Sequence, residues 1–126
     1  MITERLADPR RVLVVEDEML VVLMIEQTLL DVGAEVVGPA AWLDAALQLA
    51  REEVIDAAVL DVNIRGGSSY AVADILAERG VPFVFSSGYG KWALEERYRN
   101  HPHLTKPYSC GELEEKVLQL LGAPPS

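Results

Sequence analysis

Acidic side chains cluster at two places in this sequence, each at the end of a short apolar segment. Glu16 and Asp17 follow residues 11–15, and Asp61 follows residues 56–60. Carboxylates held close together cannot all stay ionised without a counter-charge, and Mg²⁺ is a hard cation that prefers oxygen ligands. A carboxylate beside such a cation can act as the nucleophile that accepts a phosphoryl group. If the two places meet in the fold, we expect a magnesium site suited to phosphoryl chemistry.

Two further apolar segments end in residues that could bind a phosphoryl group. Ser86 and Ser87 stand at the end of the segment 82–86, and Lys106 follows residues 103–105. A lysine contributes a positive charge, and a serine hydroxyl can donate a hydrogen bond to a phosphoryl oxygen. Taken alone, each group has a plainer explanation, such as an acidic helix start or a turn. The hypothesis therefore depends on all of them occurring in one chain.

The pattern of apolar residues predicts the elements that position these groups. Five segments are short and apolar enough to be strands: 11–15, 35–38, 56–60, 82–86 and 103–105. Helical patterns alternate with them: 18–32, 43–52, 69–79, a short one at 91–99, and 109–121. This alternation predicts an α/β fold, a five-stranded parallel sheet with helices on both faces. Ligands of such sheets bind beyond the carboxyl ends of the strands, where the candidate residues lie.

Composition restricts the classes of protein that this chain can be. Its 126 residues predict a single domain over 1–126, with a core at about 10–121. The net charge of −9 disfavours binding to nucleic acid. One cysteine allows no internal disulfide and favours a reducing compartment. Because the start of the chain lacks a signal pattern and the apolar run 19–25 is too short to cross a bilayer, we expect a cytoplasmic protein without membrane contact.

Four motifs together resemble the receiver domain of two-component response regulators. They are Val-Leu-Val-Val-Glu-Asp-Glu at 12–18, Asp-Val-Asn at 61–63, Ser87 five residues past Pro82, and Thr-Lys-Pro at 105–107. The resemblance covers about residues 10–121 and implies the (βα)5 flavodoxin-like receiver fold. It also implies a protein that catalyses only its own phosphorylation and dephosphorylation.

The resemblance assigns a role to each candidate residue. It implies that Asp61 accepts the phosphoryl group, that Lys106 and Ser87 contact this group, and that the bond from Lys106 to Pro107 is cis. It further implies a set of ligands for one Mg²⁺ ion: Asp17, Asp61, the backbone carbonyl of Asn63 and, through a water molecule, Glu16. His103 stands where the family usually has an aromatic residue that changes rotamer with phosphorylation. Ser87 and His103 are therefore the switch residues that the resemblance implies, and the sequence leaves the role of His103 undecided.

Segments 66–74 and 82–90 resemble more narrowly the FATGUY group of single-domain regulators, with Phe-Ser-Ser-Gly-Tyr at 85–89. That likeness implies a setting in stress signalling, with a histidine kinase or phosphotransfer protein as partner. The helix at 18–32 is expected to bury Val21, Met24, Ile25, Thr28, Leu29 and Val32. Its other side is expected to expose an apolar stripe that docks the partner: Met19, Val22, Leu23 and Leu30.

The leading hypothesis is a stand-alone phospho-receiver that signals by protein–protein contact, or that acts as a relay or phosphate sink, as a monomer or weak dimer. Alternatives are a receiver module of a larger regulator and an interaction module that does not depend on phosphorylation. A nucleotide- or flavin-binding domain is disfavoured because no glycine-rich phosphate loop follows the first strand. An aspartyl-phosphate hydrolase is disfavoured because its nucleophile would follow the first strand, whereas Asp61 follows the third.

Overall fold

A parallel sheet of five strands forms the centre of the molecule. The computed structural model describes residues 9–122. The strands are β1 (Arg11–Val15), β2 (Glu35–Ala40), β3 (Ala57–Asp61), β4 (Phe83–Ser87) and β5 (His103–Thr105). All neighbouring strands are parallel, in the order β2-β1-β3-β4-β5. The order confirms the predicted sheet and places the carboxyl ends of β1, β3, β4 and β5 side by side.

Four α-helices cover the two faces of the sheet. They are α1 (Met19–Asp31), α2 (Leu43–Glu52), α3 (Tyr70–Glu78) and α4 (Cys110–Leu120). Alternate residues of β1 divide the core in two: Leu13 packs in the cluster that includes α2 and α3, and Val14 packs in the cluster that includes α1 and α4. Strands covered on both faces must be apolar throughout, which is why β1, β3 and β4 read as continuous apolar runs.

Local signals fix the ends of several helices as the sequence predicts. Ser109 and Glu112 form a complete capping box at the start of α4, with Ser109 Oγ accepting from the Glu112 N–H at 3.0 Å. Gly33 follows α1 with a φ of 83°, a conformation that glycine adopts without steric cost. None of the helices among residues 9–122 is long and apolar enough to cross a membrane.

The structure corrects two predicted elements. The short helix expected at 91–99 is instead a pair of 3₁₀ turns, Lys91–Ala93 and Glu96–Tyr98. Glu95 lies between them with φ −57° and ψ 144°, which is not helical, so no continuous helix forms. Strand β2 runs beyond 35–38 to Ala40 and includes Pro39. It tolerates this proline because it is the edge strand, where a missing N–H leaves no neighbour unpaired.

A small hairpin continues the chain from β3 into α3. Asn63–Ile64 pairs antiparallel with Gly67–Ser68, and its turn is anchored where the Leu43 N–H donates to the Arg65 carbonyl at 2.8 Å. Gly66 has a φ of 96°, and a Cβ there would lie 3.3 Å from Leu43 Cβ, so glycine suits this turn. The hairpin starts at Asn63, two residues after Asp61 at the end of β3.

Candidate functional site

Three carboxylates meet at the carboxyl end of the sheet. Glu16 follows β1, where its N–H donates to the Ala40 carbonyl at 3.0 Å, and Asp61 is the last residue of the neighbouring β3. One carboxylate oxygen from each of Glu16, Asp17 and Asp61 lies within 4.8 Å of the others. Glu16 is almost fully buried and Asp61 is buried, whereas Asp17 is partly exposed. Such a set of oxygens fits a hard divalent cation.

The environment of Asp61 opposes its negative charge. Burial and the neighbouring charge of Glu16 raise the pKa of the Asp61 carboxyl from 3.8 to about 7, although the ammonium of Lys106 acts in the opposite direction. A carboxylate that is hard to ionise beside two others needs more positive charge than one lysine supplies. The protein groups alone therefore leave the site short of compensating charge, which a bound Mg²⁺ would provide.

Lys106 reaches into the acidic site from the end of β5. Its Nζ lies 3.0 Å from Glu16 Oε1 and 3.5 Å from Asp61 Oδ2. Its backbone N–H donates to the Ser87 carbonyl at 2.8 Å, which extends the β4–β5 pairing past Thr105. Burial alone would lower the pKa of Lys106, but the hydrogen bond to Glu16 and the charge of Asp61 outweigh it and raise that pKa. Lys106 therefore stays protonated beside the carboxylates.

Ser87 and His103 form a polar pair at the carboxyl ends of β4 and β5. Ser87 is buried, and its Oγ lies 3.1 Å from His103 Nε2. The Tyr89 N–H also donates to Ser87 Oγ, at 3.4 Å. Asp61 is paired with Ser86 in the sheet, so Ser87 lies one residue further towards the rim. The hydroxyl predicted to contact a phosphoryl group is thus held by the histidine that replaces the usual aromatic residue.

Comparisons with known proteins identify the family. No family model matches the chain. The structure of SdrG from Sphingomonas melonis Fr1 is 37% identical, with a TM-score of 0.80, over 92% of this chain and 99% of that one. A response regulator receiver protein from Sinorhizobium medicae is 28% identical, with a TM-score of 0.79, over 92% and 97%. This chain is a response-regulator receiver domain.

One curated relative of this receiver domain is longer than the chain itself. The transcriptional regulatory protein PdtaR from Mycobacterium tuberculosis is 33% identical over 111 residues, which are 85% of this chain and 54% of PdtaR. The chain therefore spans about half the length of the curated relative it matches.

The structure brings together Glu16, Asp17, Asp61 and Lys106, with Ser87 on the adjacent strand. Asn63 starts the hairpin two residues after Asp61 and its side chain is exposed, so the predicted role of its backbone carbonyl stays a prediction. The bond from Lys106 to Pro107 is cis, as the resemblance implies.

The apolar stripe on α1 needs one correction. Met19, Leu23 and Leu30 are exposed as expected, but Val22 is 7% exposed and belongs to the buried side of α1. Leu20, which is 81% exposed, was missed. Val22 lies three residues before Ile25 and seven before Leu29, so it shares their buried face of α1.

One buried polar side chain beside the site also escaped the sequence. It is Tyr108, whose hydroxyl is buried close to Ser86 Oγ. Burial and the charge of Glu16 raise the pKa of the Tyr108 hydroxyl, so it stays protonated. Tyr108 follows the cis Lys106–Pro107 bond, and this position just past β5 was the signal that could have found it.

Proposed function

We propose that this receiver domain accepts a phosphoryl group on Asp61. An Asp61 Oδ atom forms the new O–P bond while the P–N bond of a donor phosphohistidine breaks and its electron pair stays with the leaving nitrogen. The observation that carries this proposal is the contact of Lys106 with both Glu16 and Asp61, beside a carboxylate set that fits one divalent cation. Asp61 is the member that ends a central strand, and it contacts Lys106.

The other residues of the site would support this step without reacting. We assign Asp17, Asp61 and the Asn63 backbone carbonyl to Mg²⁺, with Glu16 acting through a water molecule. The ion, when bound, would offset carboxylate charge and the charge that develops on phosphoryl oxygens. Lys106 would pair with the phosphoryl group and Ser87 would donate a hydrogen bond to it. Hydrolysis of the resulting acyl phosphate would reset the domain.

The proposed role is that of a stand-alone cytoplasmic regulator in stress signalling, and a member of the FATGUY group. The likeness to SdrG over 99% of its solved chain supports the single-domain part of this role. A second structure of SdrG, in a BeF₃-activated conformation, has a TM-score of 0.75 and supports a receiver that can be activated. The match to half of PdtaR favours the alternative of a module within a larger regulator. The length of the native gene distinguishes the two.

We further propose that the exposed apolar residues of α1 dock a helical histidine kinase or phosphotransfer domain. Met19, Leu20 and Leu23 are 70%, 81% and 52% exposed, and they lie on the helix that begins directly after the acidic site. Glu18 and Leu20 also line a groove of about 380 Å³ that reaches Lys106. A partner helix bound there would bring its phosphohistidine to Asp61.

Labelling with a small phosphodonor tests the reaction itself. The purified protein is incubated with Mg²⁺ and acetyl phosphate, beside an Asp61→Asn variant, and intact masses are measured. We expect one phosphoryl adduct on the wild type and none on the variant or after chelation of the metal. An adduct that persists on Asp61→Asn would reject Asp61 as the acceptor.

A negative charge introduced on the exposed face of α1 tests the docking surface. Leu23→Glu should abolish transfer from the cognate kinase but leave labelling by acetyl phosphate unchanged, because Leu23 lies outside the acidic site. Val54→Glu is the matched control, since Val54 is 67% exposed and precedes β3, at the opposite end of the sheet. Equal kinase transfer to both variants would show that α1 is not the docking surface.

A further inference from the structure

The hydrogen bonds around Ser87 define the direction of its hydroxyl proton. A serine hydroxyl can accept two hydrogen bonds and donate one. The Tyr89 N–H is directed at Ser87 Oγ from 3.4 Å and can only donate, so it occupies one acceptor position. The remaining protein contact of Ser87 Oγ is His103 Nε2 at 3.1 Å, and the role of this nitrogen depends on where the imidazole carries its proton.

The two neutral tautomers of His103 have opposite effects on Ser87. If Nδ1 carries the proton, Nε2 accepts the Ser87 proton and the hydroxyl has nothing left to donate. If Nε2 carries the proton, it fills the second acceptor position of Ser87 Oγ. The Ser87 proton is then free to point away from both neighbours. In this second tautomer Nδ1 can accept from the Thr105 hydroxyl, whose oxygen lies 3.5 Å away.

We propose that His103, protonated on Nε2, is a positioning residue that turns the Ser87 hydroxyl proton towards the phosphoryl group on Asp61. This inference deepens the proposed function and rests on it. It gives a role to the histidine that replaces the usual aromatic residue: His103 acts on the reaction through Ser87 and touches no reacting atom.

The surroundings of His103 favour a neutral ring near neutral pH. Burial and the charge of Lys116 on α4 lower the pKa of His103. A groove beside His103 and Lys116 has two other charged groups in its lining, Glu112 and Glu115, both on α4. On β4, Ser87 contacts the imidazole and Phe85 is paired with His103 in the sheet, and both are neutral. A neutral ring makes the position of its single proton decisive for Ser87.

Two substitutions of His103 distinguish the effect of its N–H donor from the effect of its size. His103→Gln keeps an N–H that can reach Ser87, whereas His103→Leu has similar bulk and no donor. We expect His103→Leu to slow labelling by acetyl phosphate about fivefold, since a lost positioning hydrogen bond is modest in net effect. His103→Gln should stay within about twofold of the wild type. Equal rates for the two variants would overturn the proposal.

A Ser87→Ala background tests whether His103 acts through Ser87. Once the hydroxyl is absent, His103→Leu should cause no further loss of rate; a further fivefold loss would overturn the proposal. Urea unfolding of each variant checks that it is folded.

The tautomer of His103 can also be measured directly on the wild type, because ¹⁵N NMR of the imidazole reports which nitrogen carries the proton. Protonation on Nδ1 in place of Nε2 would contradict the inference even if Asp61 is labelled normally, whereas absence of labelling on the wild type would reject the proposed function.

Discussion

Replacing Asp61 by Asn should stabilise the protein, although it removes the proposed phosphoacceptor. The folded pKa of Asp61 is about 7 and its ordinary value is 3.8, so between these values the folded state holds a proton that the unfolded state has released. The free energy of unfolding therefore falls as the pH rises through this window and stays low above about pH 7. Asn has no proton to lose and avoids this penalty.

The size of the effect follows from the shift. About three pK units at roughly 1.36 kcal/mol each correspond to roughly 4 kcal/mol at pH values above the window. This figure is an upper bound, because the attraction of Lys106 is already contained in the shift and because relaxation and water entry reduce the penalty of a buried charge in a real site. We therefore expect Asp61→Asn to raise the free energy of unfolding by about 2 kcal/mol at about pH 8 without metal, and by clearly less at about pH 5.

Urea unfolding followed by circular dichroism measures this difference. Asp31→Asn is the control, because it removes one negative charge from an exposed carboxylate at the end of α1. With saturating Mg²⁺ the difference in free energy of unfolding between Asp61→Asn and the wild type should become smaller, because binding of the ion stabilises the folded wild type. If Asp61→Asn is no more stable than Asp31→Asn at about pH 8, or if its gain is the same at about pH 5, the reasoning about the charge at this site is wrong.

Two further predictions concern stability. Lys106→Met should cost about 3 kcal/mol, because it leaves the buried Glu16 carboxylate without its cation. Adding Glu16→Gln should recover most of that loss, and chemical unfolding of the single and double variants measures it. Gly38→Ala should cost about 3 kcal/mol, because φ is +99° and the new Cβ would lie 2.9 Å from the Ala40 nitrogen. Gly80→Ala, at φ +74° with nothing within 4 Å of the new Cβ, should cost only about 1 kcal/mol.

The sequence could predict the site because its residues mark the ends of buried strands. Glu16 and Asp61 each follow a continuous apolar run of the kind that forms a covered strand, and Lys106 follows the short segment 103–105, so the alternation of elements places all three at one edge. The order of the strands could not be predicted, because the periodicity of apolar residues does not say which strands are neighbours. The sheet brings β1 and β3 together and thereby closes the carboxylate cluster.

Errors arose where tertiary packing overrides local pattern. The residues of 91–99 are mostly helix formers, yet Leu94 and Tyr98 are both buried and Glu95 between them has a non-helical backbone, which divides the segment. Tyr98 packs edge-on against Phe83 and Phe85 of β4, a contact between distant segments that no window of sequence contains. Val22 was assigned to the wrong side of α1 for a different reason: the predicted buried face was centred on Val21, whereas Val22 shares the face of Ile25 and Leu29.

The pairing of Ser87 with His103 shows that the role of a residue at such a site cannot be assigned from its type alone. Residue types alone made His103 a departure from the family pattern, because a histidine can pack, titrate or donate. Its place opposite Phe85 on the edge strand β5 directs its ring towards the end of β4, where the Ser87 hydroxyl needs a second donor. A substitution that looks like the loss of an aromatic switch thus becomes a hydrogen-bond donor in a position that can orient the group next to Asp61.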